Sequence, residues 1–213
     1  MEGQRGELGF QHVFEPGADE LTLLLLHGTG GDEHDLLGLG RAVAPRAALL
    51  SPRGRVLEGT MPRFFRRLAV GALDVPDLLE RTDELAGFIA AAAQAYALDE
   101  RRIVAVGLSN GANIAASLLM RRPGILRGAA LLRPMLPYEP QAPPALAGTE
   151  VLICAGERDP YSSAEQVGRL AAILGDGGAA VSVRVEPGAG HALTPGDLAE
   201  LSRWVAGRRG RVV

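Results

Sequence analysis

Residues 107–111 read Gly-Leu-Ser-Asn-Gly, a G-x-S-x-G that directly follows an apolar run ending at Val106 and precedes a segment of helical character. At a sharp strand-to-helix turn, flanking glycines let neighbouring backbone approach closely. The Ser109 side chain then stands above the sheet at a helix N-terminus. An oxyanion formed there meets unpaired N–H groups and the positive end of the helix dipole. A helix-capping serine also sits in glycine-rich turns. What favours a nucleophile is the strand before the motif and the helix after it, a setting that the other six serines lack.

A serine hydroxyl is a poor nucleophile at neutral pH and needs a base, usually His, oriented by a carboxylate. Of four His, His191 ends the Gly-rich stretch Glu186-Pro-Gly-Ala-Gly-His, which follows the last convincing strand and can carry an imidazole back over the strand ends. A solvated loop His is the alternative. His12 and His34 have no comparable context, and His27, at a strand end, reads as structural. For the acid, Gly156-Glu-Arg-Asp-Pro offers Glu157 and Asp159. Asp159 is preferred because it lies deeper in the loop and precedes Pro160, which stiffens the turn; a turn-forming or capping carboxylate is its other reading. Asp176 falls beyond a helix, away from the strand ends. Ser109, Asp159 and His191 thus stand in the chain order that a strand–elbow–helix nucleophile requires.

A tetrahedral intermediate needs donors aimed at its oxygen. The backbone N–H of Asn110 is the first candidate. The second is the N–H of Thr29, in His27-Gly-Thr-Gly-Gly, which follows the apolar run 21–26. No G-K-[ST] follows these glycines, so a phosphate loop is disfavoured. Asp32-Glu-His-Asp invites a metal, but no partner ligands stand at persuasive spacing, and neither metal nor cofactor is expected. Met61, Phe64, Phe65, Met135, Leu136 and Tyr161 lie in loops and are candidates for apolar pocket walls, with ordinary packing as the alternative. Arg63, Arg66 and Arg67 read as a solvated face before an anion site.

These residues must be held by elements. Short apolar runs at 21–26, 102–106, 128–132, 151–155 and 181–185 predict strands, 47–50 a weaker one and 10–14 an edge strand. Helical segments are predicted at 77–98, 110–121, 162–174 and 195–206, with Asp77 after Pro76 as a start signal. Alternation of strand and helix predicts an α/β fold: a mostly parallel sheet covered on both faces, with ligands beyond the carboxyl ends of its strands. No repeat or composition break divides the 213 residues, so one domain spanning 1–213 is expected, the Pro-rich stretch 134–144 being a loop.

A net charge of −3, with all 22 basic residues Arg and scattered, gives no nucleic-acid or anionic-membrane signature, and the Arg-rich 208–211 is too short to change that. One Cys, Cys154, excludes an internal disulfide and fits a reducing compartment. The polar residues 1–11 have no apolar core of a signal peptide, and no apolar run spans a bilayer, so a cytoplasmic location is expected. A homodimer is compatible with such a chain.

Leu26-His-Gly-Thr-Gly-Gly-Asp-Glu-His-Asp-Leu-Leu, Met61-Pro-Arg-Phe-Phe-Arg, Gly107-Leu-Ser-Asn-Gly-Ala-Asn, Gly156-Glu-Arg-Asp-Pro and Gly190-His together resemble the carboxylesterase branch of the phospholipase/carboxylesterase family. That branch is related to acyl-protein thioesterases and includes the bacterial hydroquinone-associated esterases. The resemblance covers about residues 10–204. It implies an α/β-hydrolase fold without a substantial cap, a Ser109–His191–Asp159 triad and metal-free hydrolysis of a small-molecule carboxylic ester. Asn110 replaces the Gln usual in acyl-protein thioesterases, and His27-Gly-Thr differs from their His-Gly-Leu. Both lower a thioesterase or lysophospholipase reading. Short acyl or aryl esters are expected, since no connecting segment is long enough for a substantial lid. A Cys-dependent dienelactone-type hydrolase is disfavoured by Ser at the elbow. A non-catalytic binding protein on the same fold should lack a triad member, and none is missing.

Overall fold

A computed structural model describes residues 8–208; residues 1–7 and 209–213, with parts of the polar N-terminus and of the Arg-rich end, lie outside the described residues. The chain runs β1 (His12–Glu15), β2 (Thr22–Leu26), α1 (Leu37–Val43), β3 (Ala48–Pro52), β4 (Val56–Glu58), β5 (Met61–Arg63), β6 (Arg67–Ala69) and β7 (Ala72–Leu73). It continues through α2 (Val75–Tyr96), β8 (Ile103–Leu108), α3 (Asn110–Arg121), β9 (Gly128–Leu132), β10 (Glu150–Gly156), α4 (Ala164–Asp176), β11 (Ala180–Glu186) and α5 (Pro195–Ala206). Seven strands form one sheet in the order β1-β3-β2-β8-β9-β10-β11. Only β1 runs antiparallel to its neighbour; the other pairs are parallel.

Strand side chains alternate between two faces, and the central strands here are apolar on both. Leu24, Leu26, Ile103, Ala105, Ala129 and Ile153 pack with residues of α2, α3 and α4. Leu23, Leu25, Val104, Val106, Ala130 and Leu152 pack with residues of α1 and α5. Each fully buried Leu or Ile contributes about 1.5–3 kcal/mol, so the three-layer sandwich follows from these doubly apolar strands, as expected for parallel strands covered on both faces.

Two helix starts differ from expectation because of which side chain takes the cap. α2 begins at Val75, since the Asp74 carboxylate accepts the Asp77 N–H (3.1 Å); Asp77 is itself buried and accepts the Arg66 N–H (2.7 Å). α4 begins at Ala164 because Ser163 is its cap, while the Ser162 hydroxyl donates to the Pro134 carbonyl (2.5 Å). Neither α1 nor the antiparallel pairs β4–β5 and β6–β7 were read from the sequence. The pairs occupy the stretch between β3 and α2, beside the carboxyl end of the sheet.

Candidate functional site

β8 and α3 meet at Ser109, whose φ of 53° is rare for a residue with a side chain and stores about 1–3 kcal/mol of strain. The turn is this sharp because its glycines admit backbone where a side chain would collide. A Cβ on Gly111 would lie 2.0 Å from the Leu26 carbonyl oxygen, and one on Gly107 would lie 2.4 Å from that of Gly111. Ser109 N–H donates to Leu132 O (2.8 Å), and Ser109 O accepts from Asn113 N–H (2.9 Å). The elbow is thereby fixed from both neighbouring strands, with its hydroxyl projecting beyond the strand ends.

The candidate base and acid arrive on the loops after β11 and β10. His191 Nε2 lies 2.8 Å from Ser109 Oγ, and its Nδ1 lies 2.8 Å from Asp159 Oδ2. The Asp159 side chain is fully buried, whereas the imidazole is partly open to the cleft. Asp159 also accepts the Tyr161 N–H (2.9 Å), an Asx-type turn that aims the carboxylate inward. Glu157, the other acid candidate, accepts the Gly188 N–H (2.7 Å) and so braces the loop carrying His191. These loops cross in contact: a Cβ on Gly156 would stand 2.2 Å from Gly190 O.

Across the elbow, the 27–31 turn spends the N–H groups of Gly30 and Gly31 on the carbonyls of Pro62 (2.9 Å) and Gly28 (3.1 Å). Asn110, the first residue of α3, has a backbone N–H with no acceptor one helical turn behind it. Its side-chain oxygen accepts the Phe64 N–H (2.7 Å), while its buried Nδ2 has no hydrogen-bond partner among the described residues. His27 is structural: Nε2 accepts the Gly54 N–H (2.9 Å) and Nδ1 contacts Gly28 O (2.7 Å). Burial pushes its pKa below the ordinary imidazole value, only partly offset by that carbonyl, so the ring is held neutral.

Ser109, His191, Thr29 and Asn110 open onto a cleft of about 560 Å³ whose lining includes Met61, Met135 and Tyr161. Tyr161 meets the His191 ring edge-on, with centroids 4.8 Å apart. Met135 is placed by its N–H, which donates to Asn113 Oδ1 (2.8 Å).

The expected walls Phe64 and Phe65 are corrected. They are 2% and 0% exposed, belong to the core packed against α2 and α3, and do not line the cleft. Phe64 turns inward because its N–H is bound to Asn110 under the elbow. Leu136 also packs toward that core. Arg63 is not solvated either: it is 4% exposed, donating to Thr29 Oγ1 (2.7 Å) and Phe65 O (3.1 Å) and pairing with Glu58 (3.2 Å). Arg67 lines the cleft and binds the same Glu58 (2.6 Å); Arg66 is the surface member, paired with Asp74 and Asp77.

Sequence reasoning missed Leu73, Leu108 and Leu193 in the cleft and, behind it, the buried Arg133–Asp197 pair. A lone Arg directly after the apolar run 128–132 and before Pro134 was its only signal. In the Asp32–Asp35 stretch, Glu33 is engaged by Arg53 and Gln11. Among the described residues no group of three or more His, Cys, Asp or Glu is placed to hold a metal ion. No helix among them is long and apolar enough to cross a membrane.

The dienelactone hydrolase family model matches residues 73–199. The chain is 48% identical over 194 residues to the putative hydrolase MhqD of Bacillus subtilis, covering 91% of this chain and 96% of that one. Among solved structures it resembles the Bacillus cereus carboxylesterase (TM-score 0.90, 46% identity, 93% of this chain and 94% of that one). It also resembles the Mesorhizobium loti carboxylesterase (TM-score 0.82, 37% identity, 90% of each chain). The chain thus belongs to the dienelactone hydrolase family, with the α/β-hydrolase fold and Ser at the elbow, and is an ester-hydrolysing enzyme.

Proposed function

We propose that the chain is a serine carboxylesterase cleaving short-chain or aryl esters through an acyl-enzyme on Ser109. The observation that carries this reading is the continuous hydrogen-bond line from Asp159 through His191 to Ser109, 2.8 Å at each step, ending in a cleft. His191 takes the Ser109 proton as Oγ attacks the ester carbonyl, and Asp159 stabilises the imidazolium. The N–H groups of Thr29 and Asn110 receive the developing oxyanion; in support, neither donates to a backbone carbonyl among the described residues. His191 then protonates the departing alkoxide. Water, deprotonated by the same His191, attacks the acyl-enzyme, releasing the acid and returning the proton to Ser109.

The chemistry calls on no cofactor. Met61, Met135 and Tyr161 are the proposed substrate contacts, and a cleft of about 560 Å³ suits a small ligand. A cytoplasmic location is proposed from the lone Cys154, which leaves no second Cys for an internal disulfide and so fits a reducing compartment.

A panel of p-nitrophenyl esters of rising acyl length tests the reading, with Ser109→Ala as control. Acetyl to butyryl esters should give the highest kcat/KM, and the control should be inactive. Absence of hydrolysis by folded protein, or an active control, overturns the mechanism; a preference for long acyl chains overturns the substrate class. Matched ester and thioester substrates should favour the ester.

A further inference from the structure

The base reaches Ser109 from far across the sheet. Ser109 follows β8, whereas His191 follows β11, and β9 and β10 lie between them. A loop crossing that distance needs something to hold it down over the strand ends, and Arg133 occupies that place.

Arg133 directly follows β9, in the left-handed region (φ 56°) and 0% exposed, with its N–H on Cys154 O (2.7 Å) of β10. Its guanidinium donates from Nε to Gly190 O (3.1 Å) and from Nη2 to Ala192 O (3.0 Å), the carbonyls on either side of His191. Two further N–H groups bind Asp197 (3.0 and 2.5 Å). Asp197 is buried at the start of α5, where it also takes the N–H and hydroxyl of Thr194. The residue before Arg133, Leu132, accepts the backbone N–H of Ser109. One dipeptide therefore anchors the nucleophile by its backbone and the base by its side chain.

We propose that Arg133, held by Asp197, is a positioning residue that sets His191 over Ser109 by spanning the carbonyls of Gly190 and Ala192. This rests on the serine-esterase reading above. Stability alone is a weak reason for such a pair, since well-packed apolar residues often replace a buried ion pair at no loss. The planar fork of Arg supplies what they cannot: several donors in fixed directions, here to two carbonyls and a carboxylate at once.

Two variants test it. Arg133→Met with Asp197→Asn removes both charges together and leaves an acceptor at the start of α5. Arg133→Lys keeps the charge, but its single ammonium cannot span both carbonyls and the carboxylate. Tm, kcat and KM on p-nitrophenyl acetate, and the proton resonance of His191 Nδ1–H are measured for each. In folded variants kcat should fall about a hundredfold, the scale of a 1 Å misplacement. KM should stay within about threefold, and the wild-type Nδ1–H resonance should shift or vanish. A folded variant of either kind with wild-type kcat and resonance overturns the proposal. Ser109→Ala and His191→Ala run beside them: if these remain active, the triad reading fails, whereas inactive controls beside fully active Arg133 variants refute only the role of Arg133.

Discussion

On one side of the cleft, Ser109 sits on backbone in contact with its neighbours, between glycines whose Cβ atoms would collide with α3 and with β2. On the other, β4–β5 and β6–β7 carry Leu57, Leu68 and Val70 into solvent, Leu68 being 76% exposed. The first side holds the Ser109 turn in close-packed backbone and tolerates almost no change of volume. The second meets the cleft through Met61, Arg67 and Leu73 and is tied by Arg63, Arg67 and Glu58. Chemistry should therefore be concentrated in the rigid side and substrate preference in the paired strands.

Four substitutions probe that division, in falling order of effect. Asp159→Asn should lower kcat by about a thousand- to ten-thousandfold with the fold intact, by leaving His191 in the wrong tautomer; near wild-type turnover would show that another group orients the base. Gly111→Ala places a methyl 2.0 Å from Leu26 O. It should cost about 1–3 kcal/mol by overpacking and at least about a hundredfold in kcat, read by thermal melts beside kinetics. Arg63→Met releases Thr29 Oγ1 and leaves Glu58 with Arg67 alone. A loss of about tenfold in kcat/KM is expected, carried mostly by kcat, because the turn bearing the Thr29 N–H loses a tie. Leu68→Ser should leave Tm unchanged, as exposed positions usually do, and alter KM less than about threefold, only for the bulkier esters. If Leu68→Ser damaged turnover as much as Gly111→Ala, the division would fail.

The rigid side was also the legible one. A strand, a G-x-S-x-G and a helix are contiguous, so their constraint is written locally, and the loops bearing Asp159 and His191 directly follow strands of clear apolar pattern. The paired strands were not legible because their burial is decided by distant partners. Phe64 and Phe65 sit in a short segment with no usable period, and only the bond to Asn110 and packing under α2 turn them inward. Arg63 was read as surface because charge usually is; three separate partners bury it. α1 was hidden by Gly38 and Gly40, each worth roughly 1 kcal/mol against a helix. A Cβ on Gly40 would nonetheless meet Leu25 and Leu49 at 2.9 and 3.0 Å, so that glycine lets the helix lie on the sheet.

Peptide mapping by mass spectrometry after reaction with a fluorophosphonate identifies the nucleophile itself. One adduct is expected, on Ser109, absent from folded Ser109→Ala and formed far more slowly in His191→Ala, with Cys154 unmodified. Folded wild-type protein that forms no adduct, or forms it on another residue, would contradict it.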